Sequence, residues 1–274
     1  YGMSLQNGEW NDLADYLFDG RPAGNFICLD IRKCNNTQDC VTFGMLANIW
    51  RRYGVPWDVL MYLCTSNCDP IVFKDGSITG LAEGVETLHS GSFETTIANC
   101  FLVISCILVI CRRHNIRNLR FKVYGDNIII CTDPHSPHNL AFWQSEFQKL
   151  GAETTGTENL GIHGQSLGGA EFLSHRFVWV DNCHGYAPMP LDIYKIHASM
   201  AWPDKKMTFN EKCLRGLQQL TRLSPVKEVY EKFHSDLTSY SKLGTTSEEF
   251  ERYVKLPRLH HVGSFFRCFE GVEC

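Results

Sequence analysis

Two acidic positions in this chain have the type and setting to do chemistry. Asp30 lies at the tip of the run NFICLDI (25–31), which is dense in β-forming residues. Gly125-Asp126-Asn127 interrupts FKVYGDNIII (121–130), so a carboxylate and an amide fall on a turn between two strand-like runs, with a glycine that lets the turn be tight. Either carboxylate alone reads as a solvated turn residue. Presented together at adjacent strand tips, they would make an oxygen-lined pocket for a hard divalent cation. Mg²⁺ takes oxygen ligands and keeps several waters, so one or two carboxylates plus substrate phosphates suffice. Two such ions about 4 Å apart activate an attacking hydroxyl and stabilise a leaving pyrophosphate.

Those carboxylates need elements to position them, and the patterning supplies the elements. CVTFGMLANIWRRY (40–53) has apolar residues at helical spacing, with Arg51 and Arg52 near its end and Gly54 just after. Pro56 opens a second short helix, PWDVLMYLC. PIVFKDGSITGLAEGV (70–85) alternates apolar and polar residues about Asp75-Gly76, a hairpin signal. HSGS (89–92) is a small-residue loop feeding a long apolar helix that runs to about Cys111. The strand–turn–strand around Asp126 follows, backed by the amphipathic helix NLAFWQSEFQKLG (139–151), and EFLSHRFVWVDN (171–182) reads as a strand pair. From Leu191 helical pieces dominate: LDIYKIHASMAW, NEKCLRGLQQLTRL, PVKEVYEKFHSDLTSYSKL and SEEFERYV. There is no internal repeat, and the one composition shift lies near residue 190.

The chain has 274 residues, enough for one large domain or two small ones, and a formal net charge of −4, so no global basic field advertises a polyanionic partner. Its 13 cysteines are scattered, with no CxxC pair, which points to reduced thiols packed as small apolar residues. IANCFLVISCILVIC (97–111) imitates a membrane span but is shorter than the roughly 20 residues a bilayer needs, and the expectation is a buried core helix with no transmembrane segment. The abrupt start at Tyr1, without a leader, is expected of an excised or processed segment.

With these pieces in order, the sequence resembles the palm of a viral RNA-dependent RNA polymerase of the positive-strand kind. Family motif A is a strand ending in Asp with a second Asp five residues on; LDIRKCNNT supplies Asp30 and, in the second place, Asn35. Motif B is matched by SGSFETTIAN, with Ser90, Gly91, Thr95 and Asn99 at the family spacings. Motif C, usually YGDD, is Tyr124-Gly125-Asp126-Asn127; GDN is also the usual form in non-segmented negative-strand virus polymerases. FQKLGAETT resembles motif D and EFLSHRF motif E, so the match covers about residues 22–182.

The resemblance implies an α+β fold, a polymerase palm with an antiparallel central sheet and supporting helices, followed by a mostly helical thumb-like region. The implied boundaries are a fingers remnant at 1–24, the palm at 25–185 with a finger insertion at about 40–88, and the thumb-like region at 186–274. Asp30, Asp126 and Asn127 would form the catalytic centre, the two aspartates holding two Mg²⁺ or Mn²⁺ ions. Asn35, Thr95 and Asn99 would face the ribose of the incoming nucleotide, and Ser90 and Gly91 the nucleotide and template. Arg32 reaches a triphosphate or caps the strand edge. His175 and Arg176 would contact the primer backbone, only one of them facing inward. The motif D general acid stays open among Lys149, Asn159 and His163. The implied partners are an RNA template, a primer or product strand, NTPs, and a missing fingers region or other viral replication proteins. The implied location is the host cytoplasm, with membrane association through other parts of the protein.

No basic fingers motif is recognisable in residues 1–24, so the segment by itself is expected to polymerise poorly. A reverse transcriptase shares the palm but prefers Tyr-x-Asp-Asp and lacks this motif B. The alternative from another class is a catalytically silent palm-like RNA-binding or scaffold subunit, suggested by the two amides, Asn35 and Asn127, where the family has acids.

Overall fold

The structure is a computed structural model and describes residues 5–32, 34, 40–60, 71–72, 76, 78–79, 95–201 and 206–266. The described strands are β1 (Ala23–Ile31), β2 (Ile71–Val72), β3 (Ile78–Thr79), β4 (Arg120–Tyr124), β5 (Asn127–Thr132), β6 (Thr154–Ile162), β7 (Leu167–Phe172), β8 (His175–Val180) and β9 (Gly185–Pro190). The described helices are α1 (Glu9–Phe18), α2 (Cys40–Arg52), α3 (Thr95–Arg113), α4 (Leu140–Lys149), α5 (Ile193–Ala201), α6 (Phe209–Leu223), α7 (Lys227–Ser241), α8 (Glu248–Tyr253) and α9 (Arg258–Gly263). The fold class is α+β, as expected. The described residues fall into two compact units, one built from 27–130 and 137–157, the other from 5–26, 131–136 and 158–266. This is a different division from the fingers, palm and thumb-like boundaries expected from the sequence.

In the first unit, four strands hydrogen-bond in the order β4-β5-β1-β6. Along β1 every second residue, Ile27, Leu29 and Ile31, enters one core with Ile128 and Ile130 of β5. Helix α3 meets that core with Val103, Ile107 and Ile110, a stripe at helical spacing, and α4 adds the fully buried Trp143 and Phe147. Asp30 is the one exposed residue in the otherwise buried stretch from Gly24 to Ile31. The strand is therefore held by its apolar face while its carboxylate stays at the surface.

Helix α3 departs from the expectation of a buried core helix. It is 19 residues long, and by length and composition alone it is long and apolar enough to cross a membrane. One face is buried, whereas Leu108 and Val109 on the other are exposed. Its C-terminal end is tied down by a buried carboxylate. Glu146 on α4 is 2% exposed, accepts from Lys149 (2.5 Å) and Arg113 (3.2 Å), and lies 2.9 Å from His114. The Lys149 hydrogen bond first, then those of His114 and Arg113, pull its carboxyl down to about 2 from an ordinary 4.5. A depressed carboxylate contributes stability that is complete above the unfolded value and is lost as pH falls through the folded one. Glu146→Gln therefore melts several degrees below the parent at neutral pH, and the gap narrows between pH 4.5 and about 2 in thermal melts.

Two strands have no counterpart in the sequence pattern. TTGTENLGI, which overlaps the expected helix and turn FQKLGAETT only at Thr154-Thr155, forms β6. GYAPMP, with two prolines, forms β9 and completes the antiparallel meander β7-β8-β9 in the second unit. The strand pair expected at 171–182 is present, and its tip is Leu173-Ser174, both with positive φ (51° and 59°). Helix α1, which the sequence reading left unassigned, buries Trp10, Leu13, Ala14, Leu17 and Phe18. Trp10 stacks on Phe177 with ring centroids 4.5 Å apart, and Asn11 Oδ1 accepts from the Tyr186 N–H at 2.9 Å. Leu220, Leu223, Phe233 and Phe250 form the core of the helical region, and α6 opens with a Thr208–Glu211 capping box.

The antiparallel pair β2–β3 lies within the expected hairpin at 70–85, whose Asp75 is outside the described residues. Of the short helix expected from Pro56, residues 56–60 are described, and 57–60 are helical. The eight cysteines whose state is described form no disulfide, and Cys28, Cys34, Cys131 and Cys213 are buried.

Candidate active site

Sheet order decides which chemistry-bearing residues meet. β1 is hydrogen-bonded beside β5, so the end of the strand carrying Asp30 lies next to the turn carrying Asp126. The Ile31 N–H donates to the Asp126 carbonyl at 3.4 Å. Asp30 is exposed, yet partial desolvation of its carboxyl, and after it the charge of Asp126, pushes that carboxyl above the usual carboxylate range.

The turn itself is set by Gly125, whose φ of +62° at the first central position is the type II′ arrangement. Asn127 follows as the first residue of β5, and its Nδ2 donates to Asp126 Oδ1 at 3.1 Å. The amide thus orients the carboxylate beside it.

Helix α3 packs directly against this turn. The Gly125 N–H donates to Cys100 Sγ at 3.0 Å, and a Cβ at Gly125 would sit 4.0 Å from Thr96 Cγ2. Thr95 and Asn99 are buried one helical turn apart on the same helix. Asn35, Ser90 and Gly91 lie outside the described residues.

Sequence reasoning missed the thiols around the pair. Cys34 is 3% exposed, and burial first, then Asp126, Cys106, Asp30 and Cys100, push its thiol up to about 12. It stays protonated, as a packing group. Cys100 carried one legible signal, its spacing of four from Thr96, which puts both on one helix face.

The remaining candidates are spread out. Arg32 is exposed and paired with Glu153 at 2.6 Å, and its N–H donates to the Glu153 carbonyl at 2.9 Å. Lys149, read as a solvated helix residue, is an ion-pair partner of Glu146. His163 lies 3.1 Å from Asp15 and edge-on to Phe18, and Asn159 Oδ1 lies where a Cβ on Gly169 would be. On β8 the alternation is as expected. His175 is buried against Trp10, bonded through Nδ1 to the Leu173 carbonyl at 2.6 Å, while Arg176 points outward 3.6 Å from Glu171. Burial chiefly, and then Arg222, lower the His175 pKa.

No sequence-family model matches the chain, and no curated protein matches it in sequence. Solved structures do match. The crystal structure of the RNA-dependent RNA polymerase of a human picorbirnavirus superposes with a TM-score of 0.66 at 12% identity, over 88% of this chain and 46% of that one. The insertion loop deletion mutant of the same polymerase gives 0.65 at 12% identity, over 87% and 47%. The fold is that of a viral RNA-dependent RNA polymerase. The chain spans about half the length of those polymerases, and at this identity the likeness carries the fold alone.

The chemistry must therefore be argued from this polymerase-fold chain's own donors. Among the described residues no three His, Cys, Asp or Glu side chains are grouped to hold a metal ion; the candidate is a pair. The donor set of that pair fits Mg²⁺ or Mn²⁺: two hard carboxylates from neighbouring strands, with the adjoining thiol protonated and unsuited to ligation. A bound cation would offset the charge of Asp126, which adds to the cost of ionising Asp30.

Proposed function

We propose that this chain is the palm-containing part of an RNA-directed RNA polymerase, a nucleotidyltransferase that copies a viral RNA template from NTPs. The observation that supports it most is the coupling of Asp30 and Asp126 at adjoining strand ends within a viral-polymerase fold. When bound by Asp30 and Asp126, two Mg²⁺ or Mn²⁺ ions supply the charge that activates the primer 3′-hydroxyl and stabilises the departing pyrophosphate.

The chain's own residues do the positioning. Asn127 fixes the Asp126 carboxylate through the amide hydrogen bond at 3.1 Å. Thr95 and Asn99, with Asn35, hold the ribose, and the 2′-hydroxyl is the group that separates RNA from DNA precursors. Ser90 and Gly91 face template and nucleotide, and Arg32 takes the triphosphate on leaving Glu153. Arg176, the outward residue of the motif E hairpin, is the better placed of the pair to meet the primer backbone; His175 supports the hairpin from inside. Template, primer, NTPs and the rest of the polymerase are the proposed partners, in the host cytoplasm.

Asn127 brings no charge where the family has a second motif C carboxylate, so metal affinity is lower and Mn²⁺ serves better than Mg²⁺. In primed-template extension by the full-length polymerase, Mn²⁺ gives several-fold higher rates, and Asn127→Asp shifts the preference towards Mg²⁺. Equal activation by both metals counts against this account of Asn127. Absence of extension with either metal, while RNA still binds, favours the silent-subunit reading, for which the amide at 127 is the supporting observation.

A further inference from the structure

The turn that presents Asp126 has a donor its own hairpin cannot satisfy. In a two-residue hairpin loop the closing bond joins the residues flanking the loop, so the N–H of the first central residue has no ladder partner. Gly125 is that residue, and it is buried. Its N–H is met by Cys100 Sγ on α3 at 3.0 Å. The same turn is held at two other points: the Asp126 carbonyl accepts from the Ile31 N–H on β1 at 3.4 Å, and the Asp126 carboxylate accepts from Asn127 at 3.1 Å. Of the three, only the Cys100 contact reaches the helix that carries Thr95 and Asn99.

We propose that Cys100 is a positioning residue for the metal-holding turn: its sulfur holds the Gly125 N–H and thereby aims the Asp126 carboxylate towards Asp30 while locking the turn to α3. This rests on the two-carboxylate reading given above. Sulfur is a weak acceptor, so the contact gives direction to a buried donor more than energy. A serine hydroxyl at the same place accepts the same N–H, whereas alanine leaves it without a partner.

The test is Mn²⁺ binding by the full-length polymerase, followed by electron paramagnetic resonance of the free ion, for the parent and for Cys100→Ala, Cys100→Ser and Asp126→Ala. Cys100→Ala weakens binding about tenfold, the scale of loss seen when a group that orients a ligand is removed. Cys100→Ser restores most of it. Hydrogen exchange across 121–130 is faster in Cys100→Ala than in Cys100→Ser, and the KM for NTP at saturating metal is unchanged in both.

Parent-like binding by Cys100→Ala overturns the proposal. So does an equal loss in the alanine and serine variants, since the lost property would then be the volume of the sulfur and not its acceptance of the N–H. Asp126→Ala separates this from the reading beneath it. If that variant binds Mn²⁺ as tightly as the parent, the two-carboxylate site itself is wrong. If it loses binding while Cys100→Ala keeps it, only the role of Cys100 fails.

Discussion

Asp126→Asn lowers primed RNA synthesis by the full-length polymerase on the order of 10³-fold while leaving the fold intact or slightly more stable. The first part follows from charge. A ligated metal supplies several kcal/mol of transition-state stabilisation, and about 4 kcal/mol corresponds to a thousandfold in rate. An asparagine oxygen occupies the same place without the charge proposed to hold the ion.

The second part follows from the coupling within the pair. Asp30's folded pKa is raised, by burial and then by Asp126, so its ionised form opposes folding at pH above that raised value. Removing the Asp126 charge relieves one of the two causes. The melting temperature in divalent-free buffer at neutral pH therefore holds or rises, whereas a residue with only a structural role would lower it. Extension assays and melts on the same preparation check both parts. A large fall in melting temperature alongside the lost activity would place Asp126 in the framework and not in the chemistry.

Gly156→Ala is expected to be the most damaging single-methyl change in the sheet. A Cβ there would lie 2.2 Å from the Cys28 carbonyl oxygen and 2.9 Å from Leu29 Cδ2. The nearer atom is backbone of β1, which cannot swing aside as a side-chain end does. Either β6 separates from β1 or β1 shifts, and β1 is the strand that carries Asp30. Overpacking of this kind costs about 2–3 kcal/mol, read as a lower urea midpoint, and synthesis falls more than tenfold through the displaced carboxylate.

Gly44→Ala is the matching control. It lies in α2 with nothing from another element among the described residues within 4 Å of its Cβ position, and alanine there stabilises by about 0.5–1 kcal/mol. A Gly156→Ala protein with the parent's midpoint would mean that the two backbones do not approach this closely.

The same glycine explains why β6 was hidden. Its sequence, TTGTENLGI, has β-branched residues but no clean apolar alternation, and two glycines interrupt it because Gly156 and Gly161 are needed where neighbours crowd in, Gly161 against Phe26 and Leu167. In β9 the two prolines of GYAPMP disfavour a strand, yet the segment pairs with β8 from Gly185 to Pro190. The tip at Leu173-Ser174 has none of the Asn-Gly or Asp-Gly chemistry that marks a hairpin turn with two positive φ values; His175 Nδ1 on the Leu173 carbonyl helps hold it. In each case tertiary contact overrides local preference.

What the sequence alone determined is local. A continuous β-forming run in β1 that ends at an exposed Asp30, helical spacing in α3 and α4, and a glycine where the Asp126 turn needs positive φ are all set by near neighbours along the chain, and all are present. The motif order A to E pointed to a viral-polymerase fold by resemblance, and the fold agrees. What only the tertiary structure decided is which distant groups meet: Asp30 with Asp126, Gly125 with Cys100, Arg32 with Glu153, Glu146 with Arg113 and His114. Spacing along a chain fixes which face a side chain occupies. Only strand order and helix packing, set by burial of the shared core, fix which face lies opposite.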